Sequence, residues 1–356
     1  MKNIRMWLVV SLVLLLASAC SAKPTPSHTI AFIGDQSVST NARAVLQLIA
    51  DDGADMVLHQ GDLGYTSNVA AWEQQIDDIL GHDFPYFASV GNHDCASGIA
   101  GCSGPGVWPD YQANLLARLS RIDGATCVGE YGVNASCTYK GIRFLLSGVG
   151  TQGTGHESFI RNSLADATET WRICSWHKNQ RLMQVGGKPD EVGWTVYDEC
   201  RAGGAIIATG HEHSYARTHL MSNFENQIIE STSNTLAIGP GQSFAFVSGI
   251  AGHSIRAQNA GLAANPWWAS IYTSTQGADH GALFCTFNVG RVGNRAQCYF
   301  KDLGGTIVDQ FELWSLHNPP PPVPSVSMAG LVLLAAGLTW LVVARIRRTR
   351  ASGEPR

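Results

Sequence analysis

The stretch Met56-Val57-Leu58-His59-Gln60-Gly61-Asp62-Leu63-Gly64-Tyr65 sets the reading of the chain. Its first half is short and opens on the apolar run Met56-Val57-Leu58, as a buried strand does. Its second half breaks into Gly-Asp, which on its own is an ordinary turn, because Gly tolerates unusual φ and Asp bonds to nearby backbone. What lifts it above a turn is recurrence. An apolar run from Thr29 to Phe32 ends in Gly34-Asp35-Gln36-Ser37, and one from Pro85 to Val90 ends in Gly91-Asn92-His93-Asp94. Arg172 to Trp176 runs into His177, and Ala205 to Ala208 into Gly210-His211-Glu212-His213-Ser214-Tyr215.

Between these runs the spacing predicts helices over Asn41–Asp52, with Asn41 as N-cap, and over Val69–Leu80. Further helices are expected near Tyr111–Ile122, Phe159–Leu164 and Trp194–Arg201, and a strand over Ile142–Leu146. Alternation of strand and helix, with polar residues at strand C-terminal ends, describes an α/β sheet with a ligand-binding edge. Later runs (Phe244–Val247, Ala282–Phe287, Ala296–Phe300 and Ile307–Leu313) read as strands, with Asp302-Leu303-Gly304-Gly305 as a hairpin turn. The second half is therefore expected to supply further sheet packed on the first.

Collected in order, the polar strand ends are Asp35; Asp62 with Tyr65; Asn92 with His93 and Asp94; His177; and His211 with His213. Carboxylate, phenolate, amide oxygen and imidazole together suit hard or borderline metals. Each residue alone has an ordinary structural explanation; the set in this order does not.

These motifs resemble the calcineurin-like metallophosphoesterase superfamily, and most closely its purple acid phosphatase-like branch. The resemblance spans Thr29 to Leu313 and rests on the Gly61–Tyr65 stretch, on Gly210–Tyr215 and on Val247-Ser248-Gly249-Ile250-Ala251-Gly252. It implies a four-layer αββα sandwich as a single catalytic domain. It also implies two metal ions, one held by Asp35, Asp62, Tyr65 and His213, the other by Asp62, Asn92, His177 and His211, with Asp62 shared. The Tyr65 site would hold Fe(III), and the second Fe(II), Zn(II) or Mn(II). His93 would face the phosphoryl group as acid or stabiliser, oriented by Asp94. The implied reaction is phosphate-ester hydrolysis by a metal-bound hydroxide, since two metals can clamp an in-line displacement. Two departures stand out. Ser37 occupies a position where many members carry a ligand histidine, and no Arg adjoins Asn92-His93-Asp94 as in the serine/threonine phosphatases. A protein of the same fold that binds phosphate-containing ligands without turnover is the alternative; the completeness of the ligand set argues against it.

The ends point to export. Lys2, Arg5, the apolar stretch Met6–Leu16 and Ala17-Ser18-Ala19 read as a signal peptide over residues 1–19, with Cys20 placed where a lipoprotein cysteine would stand. The phosphoesterase domain is assigned to 27–318 and a Pro-rich linker to 319–326. Residues 327–350 form an apolar segment with a basic tail, a membrane anchor or a signal resembling the PEP-CTERM type. This places the body in the periplasm, envelope or cell surface. Setting Cys20 aside, eight cysteines remain, which allow 105 pairings. Sequential pairing (Cys95–Cys102, Cys127–Cys137, Cys174–Cys200, Cys285–Cys298) is favoured because each closes a short loop. A thiolate metal site is the rival, though no Cys-x-x-Cys occurs. With 15% charged residues and a net charge of −4, no basic field for nucleic acid is expected.

Overall fold

The computed structural model describes residues 26–317. Strands β1 (His28–Ile33), β2 (Met56–His59) and β3 (Tyr86–Ala88) alternate with helices α1 (Thr40–Asp51) and α2 (Val69–Ile79). Helix α3 (Trp108–Leu119) leads to β4 (Thr126–Glu130), β5 (Asn134–Tyr139) and β6 (Ile142–Ser147). Next come α4 (His156–Ala165), β7 (Trp171–Ser175), α5 (Thr195–Ala202) and β8 (Ile206–Thr209). The remainder is mostly strand: β9 (Tyr215–Thr218), β10 (Leu220–Asn223), β11 (Ile228–Ser231), β12 (Thr235–Ile238) and β13 (Ala245–Ser248). The short α6 (Ala260–Ala263) is followed by β14 (Trp268–Tyr272), β15 (Gly281–Phe287), β16 (Arg295–Asp302) and β17 (Ile307–Ser315).

Two large sheets result, ordered β12-β17-β16-β15-β1-β2-β3 and β14-β9-β13-β8-β7-β6-β5-β4, plus a β10-β11 ribbon. The late strands do not form a layer of their own: β15 pairs antiparallel with β1 and extends the sheet that the N-terminal strands begin. Side chains alternate along the strands, as the pleat requires. On β6, Phe144 and Leu146 join the core between the sheets, whereas Leu145 packs with Ile160, Leu164, Val196 and Tyr197 of α4 and α5. Phe32 meets Phe246 edge-on at 5.2 Å, and Phe87 stacks on Phe144 at 5.3 Å, joining the two inner faces. Helices α1 and α3 cover the outer face of the first sheet, and α4 and α5 that of the second. This is the four-layer αββα sandwich.

A buried ion pair also joins the sheets. The Arg217 guanidinium on β9 donates to both carboxylate oxygens of Asp309 on β17, at 2.6 and 2.9 Å. Removing one partner of such a pair costs about 3–5 kcal/mol, because the other charge stays buried. Among the described residues four disulfides form, and they are the sequential ones. Two of them, Cys127–Cys137 and Cys285–Cys298, sit across paired strands.

Helix α1 begins one residue earlier than the sequence suggests. Its N-cap is Ser39 rather than Asn41: the Ser39 hydroxyl accepts from Ala42 N at 3.1 Å and donates to Gly252 O at 2.8 Å, so it anchors the helix as well as capping it. No helix among the described residues is long and apolar enough to cross a membrane. The export signal, linker and C-terminal sorting segment lie outside the described residues.

Candidate metal centre

Parallel strands of both sheets end on the same side. From the first sheet, β1 delivers Asp35, β2 delivers Asp62 and β3 delivers Asn92; from the second, β7 delivers His177 and β8 delivers His211 and His213. The loops are stitched across the gap between the sheets. His211 N donates to Asp35 Oδ2 at 2.8 Å, His177 Nδ1 to Gln60 O at 2.8 Å, and Ser248 Oγ to Phe32 O at 2.9 Å.

Close approach explains the glycines ahead of the polar residues. A Cβ on Gly91 would lie 2.0 Å from Asp62 N, and one on Gly61 2.8 Å from Gly91. The backbone is strained at the strand ends that carry the cluster: Asp35, Asp62, Tyr65 and His211, and the neighbouring Ser37, all have φ between 49° and 76°. Non-glycine residues hold this conformation only where the surroundings impose it, and functional sites are where they collect.

The sequence-predicted residues converge in two groups. In the first, Tyr65 Oη lies 2.8 Å from Asp35 Oδ1 and 3.2 Å from His213 Nε2, which is itself 3.2 Å from Asp35 Oδ1. In the second, His177 Nε2 lies 3.2 Å from Asp62 Oδ2, 3.0 Å from Asn92 Oδ1 and 3.1 Å from His211 Nδ1. The Nδ1 proton of His177 is committed to Gln60 O, so in the neutral tautomer its Nε2 carries a lone pair. That lone pair faces a carboxylate, an amide oxygen and a second imidazole nitrogen. Such a meeting of acceptors fits a cation at their centre, with the outward N–H of the histidine on a backbone carbonyl. Asp62, His177 and His211 are all buried, and one potential ligand atom of each lies within 4.8 Å of the others.

Electrostatics follow the same lines. Burial works to raise the Asp35 and Asp62 carboxyls, but the imidazoles outweigh it: His213 and His177 hold Asp35 well below the carboxylate range, and His177 brings Asp62 to about 2. Burial works to lower His177, yet Asp62 and Asp35 push it up to about 9, an imidazolium in the place of a cation. Burial lowers His211 to about 4. The Tyr65 phenol is pushed well above 10 by burial and then by Asp35 and Asp62.

His93 is half-buried, its ring 4.7 Å from that of Tyr65 and its backbone N donating to Asp62 Oδ1 at 2.8 Å. Asp94 does not take the place expected of it beside the His93 ring. Its carboxylate accepts the backbone N–H groups of Gly91, Asp62 and Leu63 at 2.7, 3.0 and 2.9 Å, fixing two ligand loops against each other. Burial and the Asp62 charge raise it to about 7 against those donors. Ser37 Oγ turns to Ser39 Oγ at 3.0 Å and takes no part in the cluster.

Residues outside the strand-end motifs also reach the cluster. Glu191 Oε2 lies 2.8 Å from His211 Nε2, and its Oε1 lies 2.7 Å from Lys178 Nζ. The His253 ring stacks on Tyr65 at 3.7 Å. Ser254 Oγ bonds His213 Nδ1 at 2.5 Å. Neither Glu191 nor Ser254 sits in a strand-end motif, so no pattern marks them. His156 bonds Asn134 and Ser147, and Trp267 is buried with its Nε1 on Leu182 O, both structural placements.

A family model described as calcineurin-like phosphoesterase matches residues 28–215. This is more than half of the chain, which therefore belongs to the calcineurin-like phosphoesterase family. No curated protein matches it in sequence. Among solved structures, the purple acid phosphatase PPD1 from yellow lupin (Lupinus luteus) seeds is 16% identical, with a TM-score of 0.58 over 85% of this chain and 57% of that one. GAP50, the anchor in the inner membrane complex of Plasmodium, is 12% identical, with a TM-score of 0.51 over 81% of this chain and 89% of that one. At these identities the likeness shows the fold. The chain belongs to a metal-dependent phosphoesterase family and has a purple acid phosphatase-like architecture.

Proposed function

We propose that the protein hydrolyses phosphate esters at a two-metal centre. Asp35, Tyr65, His213 and Asp62 would hold one ion, and Asn92, His177, His211 and Asp62 the other. The observation that carries this reading is the convergence on His177 Nε2 of Asp62, Asn92 and His211, beside a second cluster of Asp35, Tyr65 and His213. Bound ions would supply Lewis acidity and a water acidic enough to attack near neutral pH. The residues do the rest. Asp62 faces both clusters, since His177 touches it and its charge raises the Tyr65 phenol. Tyr65 resists ionising in this pocket, so its use as a phenolate ligand calls for a strongly Lewis-acidic ion such as Fe(III), with Fe(II), Zn(II) or Mn(II) beside it. His93, half-exposed next to Tyr65, is free to protonate the leaving oxygen. Asp94 positions the Asp62 and Asn92 loops.

The Plasmodium neighbour is described as an anchor, so the fold alone does not separate an enzyme from a binder. The intact donor set favours turnover. Four disulfides accord with the proposed export of the body from the cytoplasm. The test is hydrolysis of 4-nitrophenyl phosphate by the metal-reconstituted protein: activity abolished by Asp62→Asn supports the reading, and an inert wild type with full metal content contradicts it.

A further inference from the structure

The loop from Arg181 to Gly193 carries Gly186-Gly187-Lys188-Pro189 across the His-Glu-His segment. Gly186 lies against Glu212, where a Cβ would sit 2.1 Å from the carboxylate carbon. Five residues on, the Glu191 carboxylate reaches His211 Nε2 at 2.8 Å. The chain between them therefore passes over His211 and Glu212, with Lys188 midway. The loop is tied down: Asn259 N donates to Val185 O at 2.7 Å, Trp267 Nε1 to Leu182 O at 3.2 Å, and the buried Gln184 side chain to Lys188 O at 2.9 Å.

The neighbouring cations are already engaged. Lys178 Nζ pairs with Glu191 at 2.7 Å. Arg256 Nη1 donates to His211 O at 3.1 Å and lies 3.8 Å from Glu212 Oε2. Lys188 differs. Its side chain is half-buried, yet among the described residues its ammonium makes no hydrogen bond or ion pair. Its charge nonetheless reaches Asp35 in one cluster, His211 in the other, and His93. Burial and then Arg256 lower its pKa, with Glu191, Asp35 and Glu212 acting against them from beyond ion-pair distance. A partly desolvated, unpaired charge is costly, and an arriving anion offsets that cost.

We infer that Lys188 is a specificity-determining residue that binds the second negative charge of a phosphate monoester. The inference rests on the phosphoesterase reading of the same site. A monoester is a dianion and a diester a monoanion, so an unpaired cation carried on the loop that crosses His211 and Glu212 favours the monoester.

The test compares wild type, Lys188→Ala and Lys188→Arg on 4-nitrophenyl phosphate and bis(4-nitrophenyl) phosphate, with orthophosphate binding to the metal-loaded protein followed by calorimetry. Loss of one charge-assisted contact predicts about a tenfold fall in monoester kcat/KM in K188A, a smaller fall for the diester, and substantial recovery in K188R. Equal losses on both esters, or none, would overturn the inference while leaving the phosphoesterase reading intact. If wild type turns over neither ester but binds orthophosphate about tenfold more tightly than K188A, the subsite stands and the hydrolase reading falls. If the wild type neither turns over an ester nor binds orthophosphate, both are wrong.

Discussion

His177 Nε2 lies 3.2 Å from Asp62 Oδ2 while its Nδ1 is held by Gln60 O at 2.8 Å. The imidazole comes from the end of a strand in one sheet and the carboxylate from the end of a strand in the other, and the carbonyl that fixes the ring belongs to the same strand end as Asp62. The candidate metal centre thus lies at the seam between the sheets, and its geometry depends on how closely the two edges approach.

Gly91→Ala tests that dependence. The added methyl would meet Asp62 N at 2.0 Å, Asp62 Oδ1 at 2.2 Å and Asp62 Cα at 2.8 Å, so the backbone at Asp62 would have to shift. We expect a loss of about 1–3 kcal/mol in the unfolding free energy from overpacking, with metal content falling more sharply than secondary structure. Thermal melts paired with elemental analysis of the same sample check this.

Tyr65→Phe removes an oxygen that lies 2.8 Å from Asp35 and 3.2 Å from His213 but leaves the ring that stacks on His253. The fold should therefore persist. If the adjoining ion is ferric, a visible charge-transfer band present in wild type disappears in the variant. An absorption spectrum of each protein decides it.

Glu191→Gln addresses the orientation of His211. In the wild type the carboxylate lies 2.8 Å from Nε2, on the far side of the ring from the Nδ1 that faces His177 at 3.1 Å. Weakening a carboxylate behind a ligating histidine lowers metal affinity by about 10–100-fold. Competition with a chelator, measured on both proteins, should show a loss of that size in one of two binding steps.

Much of this was legible in the sequence because ligands at strand ends leave a strong local mark: an apolar run, a glycine that allows close approach, then a polar residue. Asp35, Asp62, Asn92, His177 and His211 all carry it or part of it. What escaped had no local mark. Glu191 reaches His211 from a loop, and Asp94 reads in sequence as the partner of the adjacent His93 although its hydrogen bonds go to main-chain groups of two loops, Gly91 on its own and Asp62 and Leu63 on the other. The Thr126–Glu130 strand was missed because it is mostly exposed, with Val128 facing solvent and no apolar alternation to read. The antiparallel pairing of β15 with β1 joins residues more than 250 positions apart, as in His28 opposite Phe287; pattern reveals two strands but not that they are neighbours.

A pH profile probes His93. Burial holds its imidazole below 6.5, with the charge of Asp62 opposing. If the protonated ring delivers the leaving-group proton, kcat/KM on a poor leaving group such as an alkyl phosphate falls as pH rises through a value on the acid side of 6.5. His93→Asn should cost about a hundredfold on that substrate, less on an aryl ester, and flatten the limb. A variant with an unaltered profile would remove His93 from proton transfer.

The most direct measurement is the metal content of the purified full-length protein after reconstitution, by elemental mass spectrometry, for wild type and Asp62→Asn. A carboxylate shared between two ions predicts about two transition-metal ions per wild-type chain and fewer than about one in the variant. A wild type that retains fewer than about one ion per chain, or an Asp62→Asn variant that keeps its full complement, would contradict the two-metal centre.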